Sequence, residues 1–168
     1  MDTVTTSGTA ILTLPTDEQI LITREFDAPK HLVYKAWTTP ELVKRWWHAN
    51  RGEVTVVEID LRVGGRWRHA MVTGDGFEVA FHGEYREIVP NERIVSTEIY
   101  EDLPEGVSDE EGATVNTVTF TEANGRTTLT LLVQATSKVS RDAIIDSGME
   151  AGLQDAMNLL EQVALSLR

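Results

Sequence analysis

The hydrophobic positions of this 168-residue chain change period several times. Ile11–Leu14 and Ile20–Phe26 read as strand, interrupted by a turn at Pro15–Glu18. Ile20, Ile22 and Phe26 share a parity, with Arg24 between them. A helical stretch follows. Asp27-Ala28-Pro29 is a helix start, with Asp27 near the N-cap and Pro29 where its missing N–H costs nothing. His31–Thr38 then places Leu32, Val33, Ala36 and Trp37 on one face. Thr39-Pro40-Glu41 repeats the device, and Leu42, Val43, Trp46 and Trp47 continue at helical spacing. Adjacent on a helix, Trp46 and Trp47 point about 100° apart, so one packs inward and the other faces a cavity mouth or an interface.

Strands occupy the middle of the chain. Glu53–Leu61 alternates loosely and Gly64-Gly65 breaks it. Arg66–Val72 and Phe77–Ile88 flank a hairpin turn at Gly74-Asp75-Gly76. Pro90-Asn91-Glu92 turns into Arg93–Tyr100. Thr114–Thr121 and Thr127–Gln134 are joined by another hairpin signal at Glu122–Gly125. Ile145, Met149, Leu153, Ala156, Leu160, Val163 and Leu167 then trace one face of a single helix of about 25 residues. Gly148 and Gly152 fall inside that helix and each costs about 1 kcal/mol against Ala. Either close packing on the sheet or room for a ligand would compensate. The pattern predicts an α+β fold: a curved antiparallel sheet wrapped around a long C-terminal helix, with two short helices after the first strand. Residues 9–168 form one domain, and the small polar residues 1–8 are expected to fray.

Composition narrows the function classes. Lys and Arg total 15 against 27 Asp and Glu, a net charge of −12. That balance disfavours nucleic acid and anionic membranes as partners. No apolar run reaches membrane-spanning length and no signal peptide is visible, so a cytoplasmic location is expected. Without cysteine there is no disulfide, zinc thiolate or iron–sulfur cluster. Glu101, Asp102, Glu105, Asp109, Glu110 and Glu111 crowd one segment. It reads either as a solvated loop or as a docking face for a basic partner.

Three blocks carry a family resemblance. The first is Arg24-x-Phe26-Asp27-Ala28-Pro29 with Val33-Tyr34-x-Ala36-Trp37-Thr38-x-Pro40-Glu41 and Trp46-Trp47. The second is Asp60-Leu61-Arg62-x-Gly64-Gly65-x-Trp67. The third is Gly83-x-Tyr85-x-Glu87-Ile88-x-Pro90-x-x-Arg93-Ile94-Val95-x-Thr97. Together they resemble the START-like (helix-grip, SRPBCC) superfamily. The branch is that of the C-terminal domain of the activator of the ninety-kilodalton heat-shock protein ATPase. The resemblance implies a helix-grip fold with a cavity between sheet and C-terminal helix, and a place among ligand carriers, polyketide cyclases or stress-response co-chaperone modules. It does not by itself select one. His48-Ala49-Asn50 stands where the family often has Gly-Pro.

The candidate chemistry is sparse. No nucleophile elbow, P-loop or dinucleotide fingerprint is present, so no catalytic residue and no cofactor is assigned. A two-residue loop at Asp75-Gly76 would set His69 opposite His82, where they could share a ligand, a water or a metal. The same register puts Ala70, Val72, Val79, Phe81 and Tyr85 on one face with Arg66 and Arg68. Trp67, His69, Met71, His82 and Glu84 fall on the other. No complete metal site follows from four dispersed histidines. Glu84 or Glu87 with His69 or His82 is the acid–base alternative. The leading expectation is a pocket for a small, mostly apolar molecule, lined by Trp67, His69, Met71, Phe81, Tyr85, Met149, Leu153 and Met157. Arg66 or Arg68 would meet an anionic group of the ligand. The alternatives are a chaperone-accessory or other protein-interaction module, and a cyclase or hydrolase of a small apolar substrate. The chain is also compatible with a homodimer through a sheet edge or the tryptophan-bearing helices.

Overall fold

The computed structural model describes residues 9–103 and 105–168, so the segment expected to fray, 1–8, lies outside the described residues. The chain order is β1 (Ile11–Thr13), β2 (Gln19–Phe26), α1 (Lys30–Thr38), α2 (Pro40–Val43), β3 (Gly52–Ile59), β4 (Arg66–Thr73), β5 (Glu78–Val89) and β6 (Arg93–Tyr100). Then come α3 (Asp109–Gly112), β7 (Thr114–Ala123), β8 (Arg126–Gln134), α4 (Lys138–Asp146) and α5 (Met149–Ser166). The eight strands form one sheet in the order β1-β2-β8-β7-β6-β5-β4-β3, with every neighbouring pair antiparallel. Helix α5 lies across the concave face, and α1 and α2 close one end. This is the helix-grip arrangement.

The core is built where periodicities of 2 and 3.6 meet. Alternate residues of the strands supply Phe26, Leu129, Val118, Phe120 and Ile94. The helices supply Val33, Ala36, Met157, Leu160 and Val163. A second cluster joins Ala10, Ile20, Ile22 and Val133 to Ile144, Ile145, Met149 and Leu153, under α4 and the start of α5. Within the first cluster Trp46 is buried, stacks on Trp37 at 5.1 Å and donates its indole N–H to the Ala36 carbonyl at 3.0 Å. Trp47 points instead toward the sheet and packs edge-on against His69 and Phe81. The divergence expected of adjacent tryptophans is what separates the two.

Charge is buried at one place in the first cluster. Arg24 of β2 and Glu161 of α5 are 0% and 1% exposed, with Nη2 and Oε1 3.5 Å apart. Arg24 also donates to Asn158 Oδ1 at 2.9 Å and to the Glu25 carbonyl, and lies over the Phe26 ring. Glu161 Oε2 accepts the Asp27 backbone N–H at 2.8 Å. So Asp27 does not cap α1 with its side chain. Pro29 is the N-cap residue, and the free amide of Lys30, the first residue of the helix, is satisfied from across the fold by Glu122 Oε1 at 2.8 Å. Thr39 likewise occupies the cap position of α2 without a capping side-chain bond.

Two expectations about backbone direction need correction. The C-terminal helix is two helices, not one. The chain turns left-handed at Gly148 (φ 85°), so that glycine marks a corner and does not lie within a helix. The apolar stripe ran through the break because α4 and α5 present successive apolar residues to the same sheet. Gly152 does sit in α5, but a Cβ there would face the Arg51 guanidinium at 3.9 Å and not the sheet. No helix among the described residues is long and apolar enough to cross a membrane.

Removing one member of a buried ion pair leaves the other desolvated without its counter-charge. Glu161→Ala is therefore expected to lower unfolding free energy by about 3–5 kcal/mol, measured by urea denaturation. A loss under about 1 kcal/mol would contradict the role assigned to the pair.

Candidate functional site

The hairpin between β4 and β5 decides which side chains share the concave face. Its loop has three residues, Gly74-Asp75-Gly76. The Thr73 amide donates to the Phe77 carbonyl at 2.8 Å, and Gly76 adopts the left-handed conformation (φ 85°) that closes such a loop. His69 therefore opposes Phe81, and Arg68 opposes His82. The expected facing of His69 and His82 is overturned, because one extra loop residue moves every β5 side chain to the other face. Trp67, His69 and Met71 now share a face with Val79, Phe81 and Tyr85. The expected sorting had put Trp67, His69 and Met71 opposite Phe81 and Tyr85.

The convex face takes the charge. Arg68 and His82 both bind Glu101: Arg68 through two bonds of 2.9 Å and His82 through Nδ1 at 2.9 Å. These bonds hold the Glu101 carboxyl below its usual range, the Arg68 bond foremost. Arg66 and Glu84 oppose each other on the same outer side and are exposed. Neither Arg66 nor Arg68 thus faces the interior, which removes the expected anion partner. Glu84, Glu87 and His82 are also out of reach of an enclosed acid–base pair with His69.

The concave face is built in rows. Val57, His69, Phe81 and Tyr100 lie side by side across β3, β4, β5 and β6. Phe81 and Tyr100 rings meet at 5.1 Å, and His69 is flanked edge-on by Trp47 at 5.4 Å and Trp67 at 4.9 Å. His69 Nδ1 is buried and no group reaches it with hydrogen-bond geometry. Burial pushes the imidazole below its usual pKa, and the adjacent Arg68 backbone offsets this in part. In the next row Trp67 opposes Gly83 and folds over it, donating its indole N–H to the Thr97 carbonyl at 3.1 Å. A Cβ on Gly83 would stand 1.8 Å from that carbonyl oxygen and 2.7 Å from the indole nitrogen, so only glycine admits this packing.

Beside this aromatic row runs a polar one. Glu98, two residues from Tyr100 on β6, accepts from Asn116 Nδ2 at 3.3 Å. Asn116 Oδ1 in turn accepts from the Thr114 hydroxyl at 3.0 Å. Burial pushes the Glu98 carboxyl up, and the Asn116 bond opposes that only in part. Tyr85 is buried and its phenol is pushed well up, chiefly by burial.

Of the residues expected to line a pocket, Trp67, Tyr85 and Met157 are buried in the first core cluster. Met157 is 1% exposed, a core residue under α5. His69, Met71 and Phe81 are half-buried on the concave face. Leu153 touches both clusters, and Met149 packs against the second, on the β2–β8 half of the sheet. Trp47 is the tryptophan of the adjacent pair that turns to this region, whereas Glu98, Tyr100 and Asn116 also belong to it and were missed. Reading them needed the β5–β6 register, which a bulge between Tyr85 and Glu87 shifts.

A recess lies at the β4–β5 hairpin. Arg51 leaves a left-handed corner at Ala49 and Asn50 (φ 52° and 62°) and bonds Asp155 of α5 at 2.9 Å. The recess is open, measures about 480 Å³ and is lined by Arg51, Thr73, Gly74, Asp75 and Phe77. The acidic segment is tied to α4: Ser108 caps α3, and the Glu111 carbonyl accepts from Thr136 and Ser140 hydroxyls.

The family model of Activator of Hsp90 ATPase homolog 1-like proteins matches residues 27–164. Among solved structures, a Rhodobacter sphaeroides protein superposes with a TM-score of 0.83 at 22% identity, covering 95% of this chain and 99% of that one. A Mycobacterium smegmatis protein gives 0.81 at 24% identity, with coverages of 96% and 100%. An AHSA1-like protein from Aeromonas hydrophila gives 0.66 at 20% identity, with coverages of 88% and 93%. At these identities the likeness is one of fold. No curated protein sequence matches the chain.

Two measurements check the site's construction. Gly83→Ala is expected to cost about 2–4 kcal/mol, the upper range for a single substitution, because backbone must move. Glu98 has a raised folded pKa, so the folded state binds its proton more tightly than the unfolded state. Its burial costs nothing below the unfolded value near 4.5 and destabilises increasingly as pH rises through the folded value. Glu98→Gln should therefore raise Tm at pH 8 and leave it nearly unchanged at pH 4; an equal shift at both would refute the assignment.

Proposed function

The chain belongs to the Activator of Hsp90 ATPase homolog 1-like family, and within it we propose a binding module whose concave face takes a small, mostly apolar molecule. The observation that carries this is the row of His69, Phe81 and Tyr100 beside Trp47. These are large side chains left half-buried against the helix layer, with a buried imidazole nitrogen that has no partner. Such a surface is costly to leave wet, and a ligand completes its burial. Concave sites of mainly aromatic lining with a few polar groups are the usual form of small-molecule sites. Trp67, His69, Met71, Phe81 and Tyr85 would form the sheet wall, Leu153 the helix wall, and Trp47 the end wall. Met149 and Met157 would stand behind these walls. Entry would be at the Arg51–Asp155 end, where the recess opens.

An acid–base enzyme is the weaker reading. His82 and Glu101 do pair, but on the convex face and partly in solvent. A docking role for the acidic segment is also weaker, since its backbone serves the start of α4.

A thermal-shift screen of uncharged aromatic and lipid-like molecules tests the proposal. A binder at a hundredfold excess over Kd should add about 2.7 kcal/mol of stability, or about 5–10 °C in Tm for a chain of this size. Trp47→Ala should weaken that binder about tenfold, having lost one aromatic wall. A panel without any shift, together with no retained molecule in native mass spectrometry of protein from its own host, would sink the proposal.

A further inference from the structure

The distribution of charge around the concave face bears on the chemical class of its ligand. Helix α5 contains no Lys or Arg, and Arg66 and Arg68 are on the convex face. Arg51 is outside, bonded to Asp155 and the Ala49 carbonyl. Arg24 is engaged by Glu161 at the opposite end of α5. Among the described residues, the basic groups named here are turned outward or engaged, and Arg51 stands only at the recess, so none is directed at the row of His69, Phe81 and Tyr100. The face also lacks the geometry of a cation site. Its rings are turned against one another, with Trp47 edge-on to His69 and Phe81, and Trp67 edge-on to His69. An aromatic cage must instead present ring faces to its guest. The carboxyl present, on Glu98, is already hydrogen-bonded to Asn116, and its burial favours the uncharged form.

What the face does offer is His69 Nδ1, buried and unpartnered between two indole rings, those of Trp47 and Trp67. Leaving such a nitrogen unbonded is unfavourable, and a ligand atom that bonds it removes the penalty. A hydroxyl serves in either imidazole tautomer, since it both donates and accepts, whereas a carbonyl serves only when Nδ1 carries the proton.

Resting on the binding function proposed above, we infer that the ligand is an uncharged, ring-bearing molecule whose hydroxyl group hydrogen-bonds to His69 Nδ1. Its apolar body packs against Trp47 and Phe81. The hydroxyl sets orientation, and with no basic side chain directed at His69 a carboxylate or phosphate in its place is disfavoured.

Equilibrium dialysis of the full chain against four probes of one shape tests this: naphthalene, 2-naphthol, 2-naphthoate and 2-naphthylmethylammonium. The expected order places 2-naphthol about three- to tenfold tighter than naphthalene, the worth of one hydrogen bond, with both ions weaker than naphthalene. His69→Phe should bring 2-naphthol level with naphthalene, and His69→Gln, which keeps a hydrogen-bonding group, should restore part of the preference. Equal binding of naphthol and naphthalene to the wild type would overturn the inference and leave the binding function standing, as would an ion binding tightest. A preference that survives His69→Phe in a folded variant would also overturn it. Failure of all four probes would overturn the inference, while the binding function stands or falls on the screen and the native mass spectrometry described above.

Discussion

The crossing of α5 over β2 depends on a charged pair that would be ruinous if misplaced. Arg24 and Glu161 are withdrawn from water, and each is compensated only when strand and helix meet at one point. Arg24 needs the Asn158 side chain and the Glu25 carbonyl; Glu161 needs the Asp27 amide. The burden of desolvation is visible in the Arg24 guanidinium, whose pKa burial pulls down against the pull of Glu161. Burial of this kind adds little net stability and penalises alternatives heavily. A helix slid by one residue along the sheet would break several of these bonds at once. Two more contacts hold the rest of α5. Gln154 exchanges a pair of hydrogen bonds with the Ala10 backbone, and Asp155 takes Arg51.

With the helix so placed, the concave face divides in function. Under the C-terminal half of α5 lies a packed core of Phe26, Leu129, Phe120, Met157 and Leu160. Across β4, β5 and β6 the row of His69, Phe81 and Tyr100 is more polar and only half-buried. Gly83 is the reason this second region has its shape. Lacking a Cβ, it lets Trp67 lie flat and bond Thr97, and the indole then flanks His69. The sheet meanwhile sorts charge by face. Arg68, His82 and Glu101 satisfy one another outside, while the inner groups, His69 and Glu98, are both shifted toward their uncharged forms by burial. A charged strand sequence thereby presents a nearly neutral interior.

Much of this was legible beforehand. The alternation of Ile20, Ile22 and Phe26, the Pro-started helices and the apolar stripe from Ile145 to Leu167 are local patterns. Each follows from the pitch of a helix or the pleat of a strand. The three motif blocks placed them in one family's order, and that family is the one whose model matches residues 27–164. Local pattern failed where a single residue's conformation mattered. Gly76 in the left-handed region makes a three-residue loop and so puts His69 and His82 on opposite faces of the sheet. Gly148 does the same to a helix, ending α4 inside an unbroken apolar stripe.

By itself, then, the sequence determined the layers of the fold and which residues must leave water, because hydrophobic period and turn chemistry act over a few neighbouring residues. Tertiary structure decided which of those residues meet. Strand register, the bulge between Tyr85 and Glu87 and the Arg24–Glu161 crossing each depend on partners far apart in the chain. That is why Glu98, Tyr100 and Asn116 joined the candidate site only once the strands were paired. It is also why the face carrying Arg66 and Arg68, expected beside Phe81 and Tyr85, proved to be the outer one.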